Sequence, residues 1–131
     1  VTPHRYTVRI YYADTDTGGV VYHGTYLALA ERARTEMLRD QGRPHAAMLA
    51  DHDRHFMVRR VNLEYLRPAR LDDMLTITTE LLGQTAATLS LRQAFASAGG
   101  ESCAVLTIDL VCVAASTGRA ARIPPRWRLT T

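Results

Sequence analysis

Asp14, Asp16 and His23 fall close together in the run YYADTDTGGVVYHGTY, which extends from Tyr11 to Tyr26 and carries Gly18 and Gly19 at its centre. A carboxylate can attack an electrophilic carbon or take a proton from water. Two adjacent glycines leave backbone amides open to a ligand atom, and a carbonyl oxygen held at a helix N-terminus is polarised by the helix dipole. The combination points to chemistry at a carbonyl, with Asp16 as the reacting carboxylate facing the start of the following helix. The plainer alternative is that Asp14 and Asp16 only cap a turn and a helix, as Asp/Thr/Gly clusters commonly do. Capping accounts for one Asp but leaves the glycine pair unexplained, and the turn context makes Asp14 the loop organiser.

Positioning such a loop takes a strand before it and a helix after it. From Arg5 to Tyr12, residues Tyr6, Val8, Ile10 and Tyr12 alternate with polar ones, which predicts a first strand. From Val20 to about Gln41 the apolar period becomes helical, through Tyr26, Ala30, Ala33 and Met37, with Gly42 and Pro44 as the stop. His45 to Asp51 reads as a short helical turn. Four further strands follow over His55–Leu66, Met74–Leu82, Thr85–Ala96 and Cys103–Ala115, the last apolar on both faces except at Thr107 and Asp109. Short connections dictate antiparallel neighbours, so the pattern predicts an α+β domain with one long helix on a largely antiparallel sheet. Open edges and an apolar second face would invite a second copy, and the tail from Arg119, with Pro124 and Pro125, reads as a surface wrap.

Several other chemistries fail on this pattern. An EF-hand beginning at Asp14 would need a bidentate Glu where Thr25 stands. A strand followed by D-x-D resembles the phosphatase motif of the haloacid dehalogenase superfamily, but that motif sits on a parallel sheet, which this element order does not fit. All sixteen basic residues are arginine, which removes Schiff-base lysines and leaves Arg as the only permanent cation for phosphate. The net charge of +3 is modest and the arginines are scattered, unlike a nucleic-acid surface. His52, Asp53 and His55 have a metal-like spacing but no convincing third partner, so no metal site is expected.

The 131 residues fit a single domain able to bury a core of its own. No apolar run approaches the ~20 residues that cross a bilayer, and the N-terminus lacks a secretory apolar core, which predicts a cytoplasmic protein without a membrane span. Cys103 and Cys112 share one strand at an odd separation, so they point to opposite faces and are expected to stay reduced.

The pattern Y-x-D-T-D-x-G-G-V-V-Y-H, running into Glu31-Arg32-Ala33-Arg34, resembles the hotdog-fold acyl-CoA thioesterases of the 4-hydroxybenzoyl-CoA thioesterase type, and most closely their bacterial Tol-Pal-associated branch. Val58-Arg59-Arg60, Glu64-Tyr65, Pro68 to Asp73 and the apolar last strand extend the likeness over nearly the whole chain. The resemblance implies a five-stranded antiparallel sheet wrapped around one long helix, paired into homodimers or tetramers with sites at the subunit interface. It implies hydrolysis of an acyl-CoA, with Asp16 as nucleophile or general base, the His23 amide binding the thioester oxygen and the His23 ring assisting. Gly19, Tyr22 and Tyr12 would border the substrate; Arg59 and Arg60, with Arg67 and Arg70, would meet the phosphates of coenzyme A, which is itself part of the substrate, so no separate cofactor is implied. Glu31 stands where a sister lineage carries its catalytic carboxylate and is read as structural, paired with Arg34 or the preceding turn. Two alternatives stay open: a hotdog module that only binds acyl-CoA or acyl carrier protein, and a hotdog dehydratase or hydratase.

Overall fold

The computed structural model describes residues 3–129. Strand β1 (His4–Arg9) leads through a 3-10 turn at Tyr12–Asp14 to helix α1 (Thr25–Asp40) and the shorter α2 (His45–His52). Four strands follow: β2 (Arg54–Tyr65), β3 (Met74–Gln84), β4 (Thr88–Ser97) and β5 (Ser102–Ala114). They form one antiparallel sheet in the order β1-β3-β4-β5-β2, which leaves β1 and β2 as its edges.

Helix α1 lies on one face of the sheet. Its buried stripe of Tyr26, Leu29, Ala30, Ala33, Met37 and Leu38 meets Leu75 and Ile77 of β3, Leu89, Leu91 and Phe95 of β4, and alternate residues of β5 from Ala104 to Leu110. Ala30 and Ala33 are fully buried, so the small side chains sit where the helix comes closest to the strands. At its C-terminus, Gly42 (φ 74°) donates to the Arg39 carbonyl and Arg43 to the Leu38 carbonyl, a Schellman ending that only a residue tolerant of positive φ makes without strain. Its N-terminus is later than periodicity predicts, Thr25 instead of Val20, because residues 20 and 21 are tied in β-type bridges to Arg70 and Thr15.

The sheet has three register steps, in β2, in β3 and at Cys103 in β5, and those of β2 and β3 set which side chains face the core. In β2 the register steps from Val58 to Arg60, making Arg59 the extra residue, so that Phe56 before the bulge and Leu63 after it both pack on the core. In β3 the extra residue is Leu82, which is accordingly exposed.

Three expectations change. The tail is no surface wrap: Ile123 and Trp127 close a second cluster with Met48 and Cys112, and the Trp127 indole N–H donates 2.8 Å to the Arg43 carbonyl. The outer face of β5 is covered only towards its ends, with Thr107 exposed, and the sheet's outer face is largely polar, for example Ser90 Oγ bonded to Asp109 at 2.7 Å. The exposed apolar side chains gather instead on and just beyond edge strand β2, at Met57, Val58, Val61, Tyr65 and Leu66. Cys103 and Cys112 are free and buried in different clusters, and burial raises both thiol pKa values; Cys103 is the extra residue of a register step and joins the core beside Tyr26 and Ala104, so the strict alternation that predicts opposite faces does not hold there. No helix among the described residues is long and apolar enough to cross a membrane.

Candidate active site

The loop between β1 and α1 is a miniature hairpin. Thr15 bridges Val21, the Asp16 amide donates to the Val20 carbonyl at 2.9 Å, and Tyr22 donates to the Asp14 carbonyl at 2.9 Å. The segment after β2 clamps it from outside through Val21 N–H to the Ala69 carbonyl (2.8 Å) and Leu71 N–H to the Gly19 carbonyl (3.3 Å). Asp14 organises the base, its carboxylate accepting the Tyr11 amide at 2.8 Å.

Asp16 sits at the exposed tip. Its Oδ1 accepts the Gly18 amide at 2.8 Å, and its carbonyl accepts the Gly19 amide at 3.1 Å. The glycine amides are therefore not bare, as the sequence suggests; they fix Asp16. Gly19 contributes a left-handed backbone (φ 77°) that closes the turn, and a Cβ on Gly18 would come within 3.3 Å of Asp16 Oδ1. The second carboxylate oxygen, Oδ2, has no partner among the described residues. The amides of His23 and Gly24, immediately before α1, donate to nothing among the described residues, and the helix dipole adds positive potential there.

Tyr22 and His23 stack with ring centroids 4.2 Å apart, and Gly24 is needed beneath them because a Cβ there would meet the Tyr22 ring at 2.9 Å. A cleft of about 250 Å³ opens beside His23, walled by Val21, Tyr26, Tyr65, Leu66, Arg67 and Pro68. Tyr65 is a site residue to which the sequence assigned no role: its hydroxyl donates to the His23 carbonyl at 2.9 Å and its ring meets Tyr26 edge-on, holding the turn before α1. Only its place in the alternation of β2 hinted at this. Tyr12 is 82% exposed and borders no part of this cleft.

The remaining candidates are dispersed within one chain. No hydrogen bond joins Asp16 to His23, and neither Arg59 nor Arg60 touches the loop. Arg60 pairs with Asp109 at 3.8 Å and Arg67 with Glu101, while Arg59, projected by the bulge, has no ion pair among the described residues. The His52, Asp53, His55 spacing dissolves: Asp53 caps α2 and accepts the Ser116 hydroxyl at 2.6 Å, His52 packs on Trp127, and the His55 ring lies by the Phe56 carbonyl.

The thioesterase-like superfamily model matches residues 10–128. The chain belongs to this superfamily. It is 45% identical over 112 residues to the acyl-CoA thioester hydrolase YbgC of Escherichia coli, a match spanning 86% of this chain and 83% of that one. Among solved structures, a probable thioesterase of Bartonella henselae aligns with a TM-score of 0.88 at 31% identity, over 93% of this chain and 99% of that one. A 1,4-dihydroxy-2-naphthoyl-CoA thioesterase of Synechocystis aligns equally well, with a TM-score of 0.88 over 95% of this chain and 92% of that one, at 21% identity, and speaks for the fold alone. The hotdog architecture expected from the sequence is thus the architecture of this thioesterase-like protein.

Glu31 and Arg34 do not pair as the sequence suggested. Arg34 is 7% exposed and its guanidinium donates to the Gln93 side chain at 3.0 Å, while Gln93 donates to Thr79 and to the Ala30 carbonyl. Burial lowers the Arg34 pKa, opposed by Glu31, and the group remains a cation at neutral pH.

Proposed function

We propose that this protein hydrolyses acyl-CoA thioesters to a carboxylic acid and free coenzyme A. The observation that carries the reading is the pairing, on one loop, of an exposed carboxylate fixed through a single oxygen with two amides that lack protein partners at a helix start. A thioester carbonyl is electrophilic and its thiolate leaves readily, so these groups suffice in kind. The carbonyl oxygen accepts from the His23 and Gly24 amides. Asp16 Oδ2 either adds to the carbonyl carbon, expelling the CoA thiolate and leaving a mixed anhydride for water to cleave, or takes a proton from the water that attacks. The His23 ring assists at the same carbonyl, Tyr22 holds that ring in place and Gly19 keeps the turn in shape.

The resemblance of the sequence supports the rest. A second copy pairs along edge strand β2, covering its exposed apolar side chains, and the site is completed at that interface, in a dimer or a tetramer of dimers. Arg59, and secondarily Arg60 and Arg70, meet the phosphates of coenzyme A. Two buried, reduced thiols fit the reducing cytoplasm. The test is release of CoA thiol from short, long and aromatic acyl-CoA substrates by the purified protein. Thiol release is expected; formation of an enoyl product without it would make the protein a dehydratase or hydratase, and binding without turnover would make it an acyl-CoA module.

A further inference from the structure

A second cavity, of about 130 Å³, lies between the C-terminal half of α1, the start of α2 and the sheet. Most of its wall is apolar: Met37, Leu38, Phe56, Leu89, Leu91 and Leu110. Arg34 and His45 supply its inner polar groups, and exposed Glu31 and Val58 stand at its rim. A pocket of this size suits a fragment of about six carbons, because an engineered cavity of about 150 Å³ takes benzene.

The buried cation is what the fold alone does not explain. Arg34 makes no ion pair among the described residues, and one nitrogen of its fork is bonded, to the neutral Gln93. Its other nitrogens have no partner among the described residues, yet they are not sealed, since the one buried, unpartnered side-chain atom there is Nδ1 of His4. Arg34 lines the cavity, so its unbonded nitrogens are available to a ligand held there. A guanidinium taken out of water calls for a partner, and a carboxylate is the partner that matches its fork in two bonds. Burial keeps His45 neutral at pH 7, and the charges of Arg34 and Arg39 act in the same direction while Glu31 opposes them. Glu31 is solvated at the rim, so the enclosed part of the pocket is positive.

We propose that this cavity is an acyl subsite in which Arg34 selects acyl groups of about six carbons ending in a carboxylate. The inference rests on the hydrolase reading and names its substrate class. Within one copy the cavity is out of reach, because the helix rise from Thr25 to Arg34 is about 14 Å. Antiparallel pairing of two β2 strands brings it within reach. Phe56 and Val58 of the cavity lie in the first half of β2, and Tyr65, bonded to the His23 carbonyl, ends it. Self-pairing about mid-strand sets the first half of one β2 beside the end of the other, so a thioester held at the His23 amide of one copy sends its acyl chain into the cavity of its neighbour.

The test compares kcat/KM for adipoyl-CoA and hexanoyl-CoA, which differ in whether a carboxylate or a methyl ends the chain. Wild-type protein is expected to favour adipoyl-CoA, and Arg34→Gln to lower the adipoyl-to-hexanoyl ratio about tenfold or more. A general loss of structure would lower both substrates and leave the ratio alone. Should Arg34→Gln not fold, Val58→Trp, placed at the rim, is expected to lower the ratio by blocking the cavity. Hydrolysis of hexanoyl-CoA with no preference for adipoyl-CoA, or a preference that survives both substitutions, overturns the subsite while the hydrolase reading stands. If the wild type hydrolyses neither but releases thiol from other acyl-CoA substrates, the subsite is overturned while the hydrolase reading stands; if it releases thiol from none of the short, long and aromatic substrates, the hydrolase reading falls. The cavity is then judged by thermal shift with free adipate: a rise in melting temperature lost in Arg34→Gln supports the carboxylate site, and no rise overturns it.

Discussion

Asp16 owes its position to the two glycines that follow it. One amide holds its side chain and the other its carbonyl, so the turn orients the carboxylate with no help from another side chain. Gly19→Ala is expected to cost about 1 kcal/mol or somewhat more, since an L-residue is strained at φ 77°, and chemical denaturation measures it. Gly18→Ala instead presses a methyl group on Asp16 Oδ1, so turnover is expected to fall more than stability, read as kcat beside the denaturation midpoint. His45 yields a prediction in pH. Burial, then the charges of Arg34 and Arg39, hold its pKa below 6.5 in the folded chain, with Glu31 opposing. The unfolded chain therefore binds more protons as pH falls below 6.5, and the stability owed to neutral His45 is lost in that direction. His45→Gln is expected to flatten the decline in melting temperature between neutral pH and pH values below 6.5, and an unchanged slope would contradict the assignment.

Among the elements, α1 and the five strands could be read from periodicity because each buries one face, and apolar residues then recur at the period of the backbone. The start of α1 could not, since Val20 and Val21 carry a helix-like pattern while the Val21 amide donates to the Ala69 carbonyl and Val20 lies in a bridge opposite Arg70, partners some fifty residues away that no local pattern reveals. The same blindness to distant partners hid Tyr65 and hid Gln93, the residue that Arg34 bonds to in place of the expected Glu31. The bulge at Arg59 was hidden too, although it explains why the apolar positions of β2 change parity between Phe56 and Leu63. In the tail, the prolines and arginines carry a surface-like pattern, but Trp127 is fully buried and hydrogen-bonded to the loop after α1. Trp127→Ala is expected to destabilise the protein by about 3–5 kcal/mol in urea unfolding, a loss that a tail lying on the surface would not produce.

At the scale of the whole molecule, the candidate site is divided between the two ends of one chain's machinery. The loop with Asp16 and His23 lies at the start of α1, while the unpaired Arg59 and the Arg34 cavity lie along or beside edge strand β2. The proposed pairing through β2 would unite them and cover the exposed apolar residues of that edge. Val61→Asp places a charge among them and is expected to yield a smaller particle in sedimentation velocity together with a large loss of turnover; an unchanged mass would remove β2 from the interface. The central claim is that the Asp16 carboxylate performs the chemistry. The most direct measurement is kcat for thiol release by Asp16→Asn, taken on protein whose melting temperature and particle mass match the wild type. The account predicts a fall of about 10²-fold or more, and turnover at the wild-type rate would contradict it.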